Sequence, residues 1–202
     1  MKIYGTTTSG NCYKPRLLMA KLGRPFEHVE VSTVDGETKT QAFLALNPNG
    51  MVPLLVLDDG RTIAESNAML LHLAEGTRFL PQDAYERALA YQWLFFEQYS
   101  HEPYIAVRRA LMTVPQRAAE ATPERLAATL ARGNKALAVM EERLARSAFL
   151  AGAALSVADI ALYAYTHAAG EGGFRLEDFP AVSVWLARVE ADPGHVPLAW
   201  HP

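Results

Sequence analysis

A hydroxyl, an amide and a thiol lie close together near the start of the chain, in the run Ser9-Gly10-Asn11-Cys12. The run follows a β-prone segment at residues 2–4 and precedes a helical pattern, so Ser9 is placed to cap the start of a helix. Backbone N–H groups and the helix dipole make such a start favourable for an anion. These residue types therefore predict either a plain helix cap or a site that stabilises a negatively charged ligand atom.

Cys12 is the only cysteine in the chain, which excludes an intrachain disulfide. Its thiol could serve as a small apolar group of the helix, or it could contact or trap a ligand. Ser9 stands where a C-x-x-C motif would have its first cysteine. Because a hydroxyl cannot form a mixed disulfide, we expect no two-cysteine redox cycle.

The elements that must position these groups alternate between strand and helix over the first 75 residues. Leucines at helical spacing follow Cys12, and Gly23 marks the end of that helix. Pro15 is tolerable there because it is expected to fall in the first turn. Asp58-Asp59-Gly60 indicates a hairpin between two strands. The predicted order is β-α-β-α-β-β-α, with strands at 2–4, 26–31, 53–57 and 61–64 and helices at 12–22, 40–46 and 66–74.

The rest of the chain has a different character. Residues 76–84 contain Gly, Pro and polar residues, which predicts a linker between domains at 1–75 and 85–202. Beyond the linker nearly all apolar spacing is helical, which indicates an all-α bundle. Pro103 is expected to kink or break its first helix, and a close neighbour is expected at Gly133 in its second. Ser156 and Asp159 form a capping box that we assign to structure and not to chemistry.

Composition excludes several classes of function. The chain has 202 residues, 50% hydrophobic and 20% charged, as in a folded globular protein. Its formal net charge of -3 gives no electrostatic footprint for nucleic acid. No apolar stretch reaches the roughly 20 residues that cross a bilayer, and the first residues lack the apolar segment of a secretion signal. The histidines show no metal-ligand pattern, so we expect a cytoplasmic protein with no metal and no membrane partner.

Four motifs, correctly ordered along the chain, resemble those of the cytosolic glutathione S-transferase family, in particular its bacterial members with serine or asparagine at the active site. They are the run at 9–12, the segment at 47–53 before a cis-proline, the acid-serine pair at 65–66, and the capping box at 156–159. The resemblance covers nearly the whole chain. It implies a thioredoxin-like N-terminal α/β domain, a following all-helical domain, glutathione as co-substrate and a homodimer.

The resemblance places the sulfur of glutathione at the start of the first helix. Ser9 is implied as the main donor to the thiolate, Asn11 as its rival or helper, and Cys12 as a neighbouring contact. The bond between Val52 and Pro53 is implied to be cis, so that the backbone of Val52 pairs with glutathione as an added strand would.

Other residues are implied to hold the two ends of the tripeptide. Glu65 would pair with the γ-glutamyl ammonium, and Ser66 would bind the adjacent carboxylate through its hydroxyl and N–H. Met51 stands where the family often has a lysine, which removes a partner for the glycine carboxylate. Lys39 or Thr38 is expected to take over that role.

The implied function is attack by the bound thiolate on a small electrophile. We expect the electrophile pocket to lie between the domains and to be lined by Thr7 of the first loop and by Tyr104, Arg108 and Tyr163 of the helical domain. Two alternatives stay open: a glutathione-dependent disulfide reductase or peroxidase, and a binding protein that kept the fold and lost the chemistry.

Overall fold

The computed structural model describes all 202 residues, which divide into two compact units. Unit 1 consists of residues 1–76 together with residues 192–202, and unit 2 consists of residues 77–191. The sequence-based division placed residues 192–202 in the helical domain. They pack instead within unit 1, because side chains of its first helix, Tyr13 and Arg16, bind their backbone carbonyls.

Unit 1 is built on a four-stranded mixed sheet in the order β2-β1-β3-β4. β1 runs parallel to β2, as the predicted helical crossover requires, and antiparallel to β3, which pairs with β4 as a hairpin. The strands are β1 (Lys2–Gly5), β2 (Glu27–Glu30), β3 (Leu54–Val56) and β4 (Thr62–Ala64). The helices are α1 (Gly10–Lys21), α2 (Gln41–Leu46) and α3 (Ser66–Ala74), so the predicted β-α-β-α-β-β-α order is confirmed.

Helix α1 begins two residues before its predicted start, because Ser9 caps it and Gly10 is already helical. Pro15 consequently lies in the second turn and not in the first. The helix is buried on nearly all sides, and even Lys14 and Arg16 are 0% exposed. It approaches β1 closely, since a Cβ added at Gly5 would lie 2.9 Å from the Sγ of Cys12.

Unit 2 is all-helical, as the sequence predicts. Its helices are α4 (Ala84–Phe96), α5 (Glu102–Thr113), α6 (Pro123–Leu144), α7 (Val157–Thr166) and α8 (Pro180–Ala191). A π-helical turn, Glu97–His101, separates α4 from α5. Pro103 follows in the first turn of α5, and the helical backbone continues from α4 through the π-helical turn into α5, so the predicted kink or break takes the form of this irregular turn and does not interrupt the helix. None of the helices combines the length and apolar composition needed to cross a membrane.

Two local predictions in unit 2 are also confirmed. A Cβ added at Gly133 of α6 would lie 2.4 Å from the ring of Phe174, so glycine is required for that close approach. Ser156 caps α7, and the Asp159 carboxylate accepts from the Ser156 N–H at 2.9 Å, which completes the capping box. The other carboxylate oxygen accepts from the indole N–H of Trp185, which ties α7 to α8.

Candidate functional site

Three segments of unit 1 emerge side by side at one end of its sheet. In the pairing register Tyr4 of β1 lies opposite Leu54 of β3, which lies opposite Ala64 of β4. The chain leaves β1 just after Tyr4, enters β3 at Leu54 and leaves β4 at Ala64. The loop at 6–9, the bend at 52–53 and the pair at 65–66 therefore adjoin each other, and together they carry most of the predicted binding residues.

Ser9 holds its hydroxyl at the start of α1. Its backbone is extended (φ -86°, ψ 128°), and its Oγ accepts a hydrogen bond from the N–H of Cys12 at 3.4 Å. Its own N–H donates to the carbonyl of Thr6 at 3.3 Å, which closes the loop. The bond with the Cys12 N–H uses the hydroxyl oxygen as an acceptor, and the hydroxyl can also donate, either to the neighbouring Cys12 thiol or to a ligand.

Asn11, Lys14 and Ser66 form a connected polar cluster between the starts of α1 and α3. The Ser66 hydroxyl donates to the Oδ1 of Asn11 at 3.3 Å and accepts from the Nζ of Lys14 at 3.2 Å. The Lys14 ammonium also donates to the Oδ1 of Asn67 at 3.3 Å. Two helix N-termini and an ammonium thus converge, and all of them favour an anion.

Cys12 lies inside the protein. Its side chain is 0% exposed and packs against Gly5. Burial raises the pKa of the Cys12 thiol, although the hydrogen bond with Ser9 acts in the opposite direction. A buried, protonated thiol is a poor nucleophile, so we remove Cys12 from the proposed ligand contacts.

The bend before β3 is shaped by its own polar contacts. The peptide bond between Val52 and Pro53 is cis, as predicted. Asn47, 5% exposed, donates from its amide to the Met51 carbonyl at 2.8 Å and accepts from the Asn49 N–H. The backbone N–H and C=O of Val52 make no hydrogen bond within the protein, which leaves both for a ligand.

The residues expected to compensate for Met51 differ in accessibility. Lys39 places its ammonium against this bend and donates to the carbonyl of Gly50 at 3.0 Å. Thr38 is only 3% exposed, whereas the Met51 side chain is 57% exposed. Of the two expected replacements for the missing lysine, Lys39 is thus the exposed one, and its charge lies next to the bend.

Glu65 has an unusual backbone. It precedes α3 with φ 67° and ψ 114°, and it is the only non-glycine residue with positive φ. Such a conformation costs about 1–3 kcal/mol in a non-glycine residue and is typical of ligand-binding sites. The side chain is exposed and makes no capping hydrogen bond to α3, and the residue directly precedes Ser66.

The residues predicted for the electrophile pocket fall into different environments. Thr7, in the loop before Ser9, donates its N–H to the Glu30 carboxylate at 3.1 Å. Tyr104 lines an open cleft of about 250 Å³ within unit 2, where its hydroxyl accepts from Arg132 at 3.0 Å.

Arg108 and Tyr163 instead hold unit 2 together. Arg108 is 9% exposed and donates to the carbonyls of Gly172 and Leu126, and burial lowers its pKa. Tyr163 is 2% exposed, and its hydroxyl donates to Glu190 at 3.0 Å. Both side chains therefore have structural contacts that account for them without a ligand.

Sequence reasoning missed Lys14, Arg16 and Asn47 as contributors to this end of unit 1. Asn47 begins the segment at 47–53 that resembles the family motif, but its role in shaping the bend becomes visible only in the fold. Lys14 and Arg16 could have been noticed from their position, because both cations stand in an otherwise apolar stretch directly after the predicted cap. No group of three or more His, Cys, Asp or Glu side chains is arranged to hold a metal ion.

Comparison with known proteins identifies the family. Residues 8–75 match the family model for the N-terminal domain of glutathione S-transferase, and residues 88–193 match the model for its C-terminal domain. The chain therefore belongs to the glutathione S-transferase family. Among curated relatives, the mouse glutathione S-transferase theta-3 is 30% identical, with 96% of this chain and 83% of that protein covered. The disulfide-bond oxidoreductase YfcG of Escherichia coli is 28% identical, with 91% and 87% covered.

Solved structures agree with this assignment. A crystal structure of a glutathione S-transferase from Pseudomonas fluorescens superposes with a TM-score of 0.95 at 50% identity, and 98% of each chain is covered. The glutathione transferase URE2P6 of Phanerochaete chrysosporium, solved in complex with oxidized glutathione, has a TM-score of 0.85 at 25% identity, with 96% of this chain and 91% of that chain covered.

Proposed function

We propose that this protein is a glutathione transferase that binds glutathione at the sheet end of unit 1 and directs its thiolate at a small electrophile. The observation that carries the proposal is the convergence of the Ser9 cap, the Val52 bend and the Ser66 cluster at that end. The names of the relatives support the same ligand, since the family, the transferases and the complex with oxidized glutathione all refer to glutathione.

Ser9 and the start of α1 can together supply the free energy needed to keep the thiol of glutathione ionised. A free thiol has a pKa of about 8.5, so only a few per cent is ionised near neutral pH. Lowering that pKa by about two units requires about 2.7 kcal/mol of preferential stabilisation of the anion. One hydroxyl donor to a charged acceptor contributes roughly 1.5–3 kcal/mol, and a helix start contributes roughly 0.3–1 kcal/mol. Together they suffice. The Asn11 amide would act as a second donor, and no covalent enzyme intermediate is needed.

The parts of glutathione other than its thiolate would bind the remaining polar groups at this end of unit 1. The backbone of Val52 would pair with the cysteinyl residue in the manner of an added strand. The start of α3 at Ser66, with the buried Lys14 ammonium behind it, would hold the γ-glutamyl carboxylate, and Glu65 would bind the ammonium beside it. Lys39 would meet the glycine carboxylate. Each charged group of glutathione thereby meets a group of opposite charge or a hydrogen-bond donor.

The electrophile and the oligomeric state belong to the same proposal. Thr7, in the loop before Ser9, is the residue we propose as an electrophile contact. We also propose a homodimer, because Phe95 and Tyr99, four residues apart in unit 2, are 74% and 84% exposed. A cytoplasmic location fits the function, since the cytoplasm maintains the reduced glutathione pool.

Calorimetric titration with glutathione, followed by an assay with a halogenated aromatic electrophile, tests the proposal. We expect saturable binding and a glutathione conjugate as the product. Binding without conjugation would point to a different reaction at the same site. No heat of binding up to millimolar glutathione would overturn the proposal and favour a protein that kept the fold without the chemistry.

A second candidate function is glutathione-dependent disulfide reduction, favoured by the similarity to a disulfide-bond oxidoreductase. Here the bound thiolate would attack one sulfur of a disulfide, form a mixed disulfide and release the other sulfur as a thiolate. A second glutathione would then release the remaining thiol and leave with the first as oxidized glutathione. The site requires no protein thiol for this, which agrees with the buried Cys12. Assaying a small disulfide beside the aromatic electrophile, with the same preparation, separates the two reactions.

A further inference from the structure

We propose that Arg16 and the C-terminal residues 196–201 form a clamp that positions the loop carrying Ser9. We call this set of contacts the tail clamp. The loop at 6–9, α1, β2 and the C-terminal residues all belong to unit 1. The tail clamp exists independently of any ligand, whereas its effect on turnover rests on the proposed function.

Arg16 is the centre of the tail clamp. Its side chain is 0% exposed, and its Nη2 donates both to the carbonyl of Thr7 at 2.9 Å and to that of Leu198 at 3.0 Å. Nη1 donates to the carbonyl of Trp200 at 2.9 Å, and Nε donates to that of Cys12 at 3.3 Å. One planar guanidinium therefore joins the loop before Ser9 to the end of the chain, a geometry that a lysine ammonium cannot reproduce.

A second arm of the tail clamp holds the other side of Thr7. The N–H of Thr7 donates to both carboxylate oxygens of Glu30, at 3.1 and 3.2 Å, and Glu30 is bound by the His28 ring at 2.8 Å. His28 in turn stacks on His201, with ring centroids 5.0 Å apart. Burial acts to raise the pKa of Glu30, but the hydrogen bonds from His28 and Thr7 outweigh it and hold that pKa below its ordinary value.

The tail itself is anchored along its length. Tyr13 donates its hydroxyl to the carbonyl of Val196, and Trp200 packs edge-on against Phe26 with ring centroids 6.1 Å apart. Gly194 crosses α1 so closely that an added Cβ would lie 2.7 Å from the Cα of Lys21. The tail carbonyls that Arg16 binds therefore belong to a segment that other contacts already hold in place.

The tail clamp affects the position of Ser9 through Thr7. Its N–H and its C=O are both held by side chains that the tail supports, and Ser9 follows two residues later. A thiolate donor acts only if its hydroxyl stays within hydrogen-bond distance of the sulfur, and small displacements from that geometry lower rates strongly. Arg16 is thus a positioning residue, which acts on Ser9 through Thr7 and touches no reacting atom.

Hydrogen exchange of the ligand-free protein, measured by mass spectrometry, tests the tail clamp directly. We compare the parent chain with a chain ending at Pro197, which lacks both tail carbonyls bound by Arg16, and with Arg16→Lys. A double variant, Trp200→Ala with His201→Ala, keeps the tail backbone and removes only its ring contacts. Arg24→Lys is the matched control, because Arg24 also donates to a carbonyl of unit 1, that of Leu73, away from the tail.

We expect exchange in the peptide spanning residues 6–11 to become at least about tenfold faster in the truncated chain and in Arg16→Lys, with a smaller increase in the double variant. Exchange in the β3–β4 hairpin should be the same in these variants as in the parent. In Arg24→Lys, exchange at residues 6–11 should also equal that of the parent. Unchanged exchange at 6–11 in all three test variants would overturn the clamp. If the truncated chain and Arg16→Lys exchange faster everywhere because they unfold, the double variant decides between the two outcomes.

The same variants connect the tail clamp to catalysis. We expect the ultraviolet signal of the bound thiolate to titrate at higher pH and kcat to fall about tenfold or more, with glutathione affinity within about threefold of the parent. A fall in affinity alone, with an unchanged thiolate titration, would contradict positioning of Ser9. If the parent binds no glutathione, the proposed function fails, but the exchange measurement still decides whether the clamp exists.

Discussion

The hydroxyl of Ser66 donates a hydrogen bond to the side-chain oxygen of Asn11 across 3.3 Å, and so joins the start of α3 to the start of α1. The two residues are 55 positions apart in sequence. The bond connects the part of the site proposed for the sulfur with the part proposed for the γ-glutamyl group. A change at either residue is therefore expected to affect both functions of the site.

Replacing Ser9 tests the proposed thiolate donor. We expect Ser9→Ala to raise the pKa of bound glutathione and to lower kcat by about tenfold to a hundredfold, since a hydrogen bond to a charged group is worth about 1.5–3 kcal/mol. Glutathione affinity should stay within a few-fold. Ultraviolet titration of the thiolate measures the pKa, and Ser9→Thr, which keeps the hydroxyl and the cap, is the control. Identical titration of Ser9→Ala and parent, with a damaged Asn11→Ala, would transfer the donor role to Asn11.

Replacing Lys14 tests the charge at the start of α3. Lys14→Met keeps the length of the side chain and removes the ammonium that lies 3.2 Å from the Ser66 hydroxyl. We expect about a tenfold or larger rise in the Kd for glutathione, because the Ser66 hydroxyl loses a charge-assisted hydrogen bond and the start of α3 loses a nearby positive charge. Lys2→Met removes the same charge at the opposite end of β1 and should bind as the parent does. Calorimetry on both variants makes the comparison, and equal affinities would exclude Lys14 from the site.

Replacing Glu65 separates stability from binding. Glycine tolerates positive φ, so Glu65→Gly should relieve backbone strain of about 1 kcal/mol or more and raise the Tm. The same change removes the carboxylate proposed to bind the γ-glutamyl ammonium, so glutathione affinity should fall. Glu65→Gln keeps the strain and loses the charge, and we expect weaker binding without the gain in Tm. A lower Tm for the glycine variant would show that the conformation is not strained.

The thiol of Cys12 should resist alkylation. Burial raises its pKa, so the reactive thiolate is scarce in the folded protein, and its fraction grows only as the pH rises toward that pKa. We expect negligible modification by iodoacetamide at neutral pH in the native state and rapid modification in denaturant. Mass spectrometry of the intact protein reads out both. Rapid labelling of the native protein that glutathione prevents would restore Cys12 as a ligand contact.

Signals confined to a few neighbouring residues predicted much of unit 1 correctly. The structure contains the Ser9 cap, the start of α3 at Ser66 and the cis bond before Pro53. The cap and the helix start each depend on a short motif, whereas the cis bond was implied by the family resemblance. Gly133 was informative for a similar reason, since a glycine within a long helix suggests a close neighbour. Local chemistry determines such features, so a single sequence reveals them.

Features that depend on long-range packing were not predictable in this way. Lys14 and Arg16 would be expected on an exposed helix face, but α1 is covered on nearly all sides. Arg16 finds its partners in Leu198 and Trp200, 182 and 184 residues away. Tyr163 and Arg108 were expected to line a pocket but are buried in unit 2. The same local sequence can place an aromatic ring or a cation of a helix either in a pocket or in the interior.

The placement of residues 192–202 within unit 1 has a consequence for how the protein is made. Unit 1 is discontinuous, since residues 77–191 intervene between its two parts. Domains generally fold in order as they leave the ribosome, yet here the first 76 residues emerge well before the segment that completes their unit. The carbonyl partners of Arg16 become available only when synthesis has passed Trp200, so the Ser9 loop acquires its final support only after all of unit 2 has been translated.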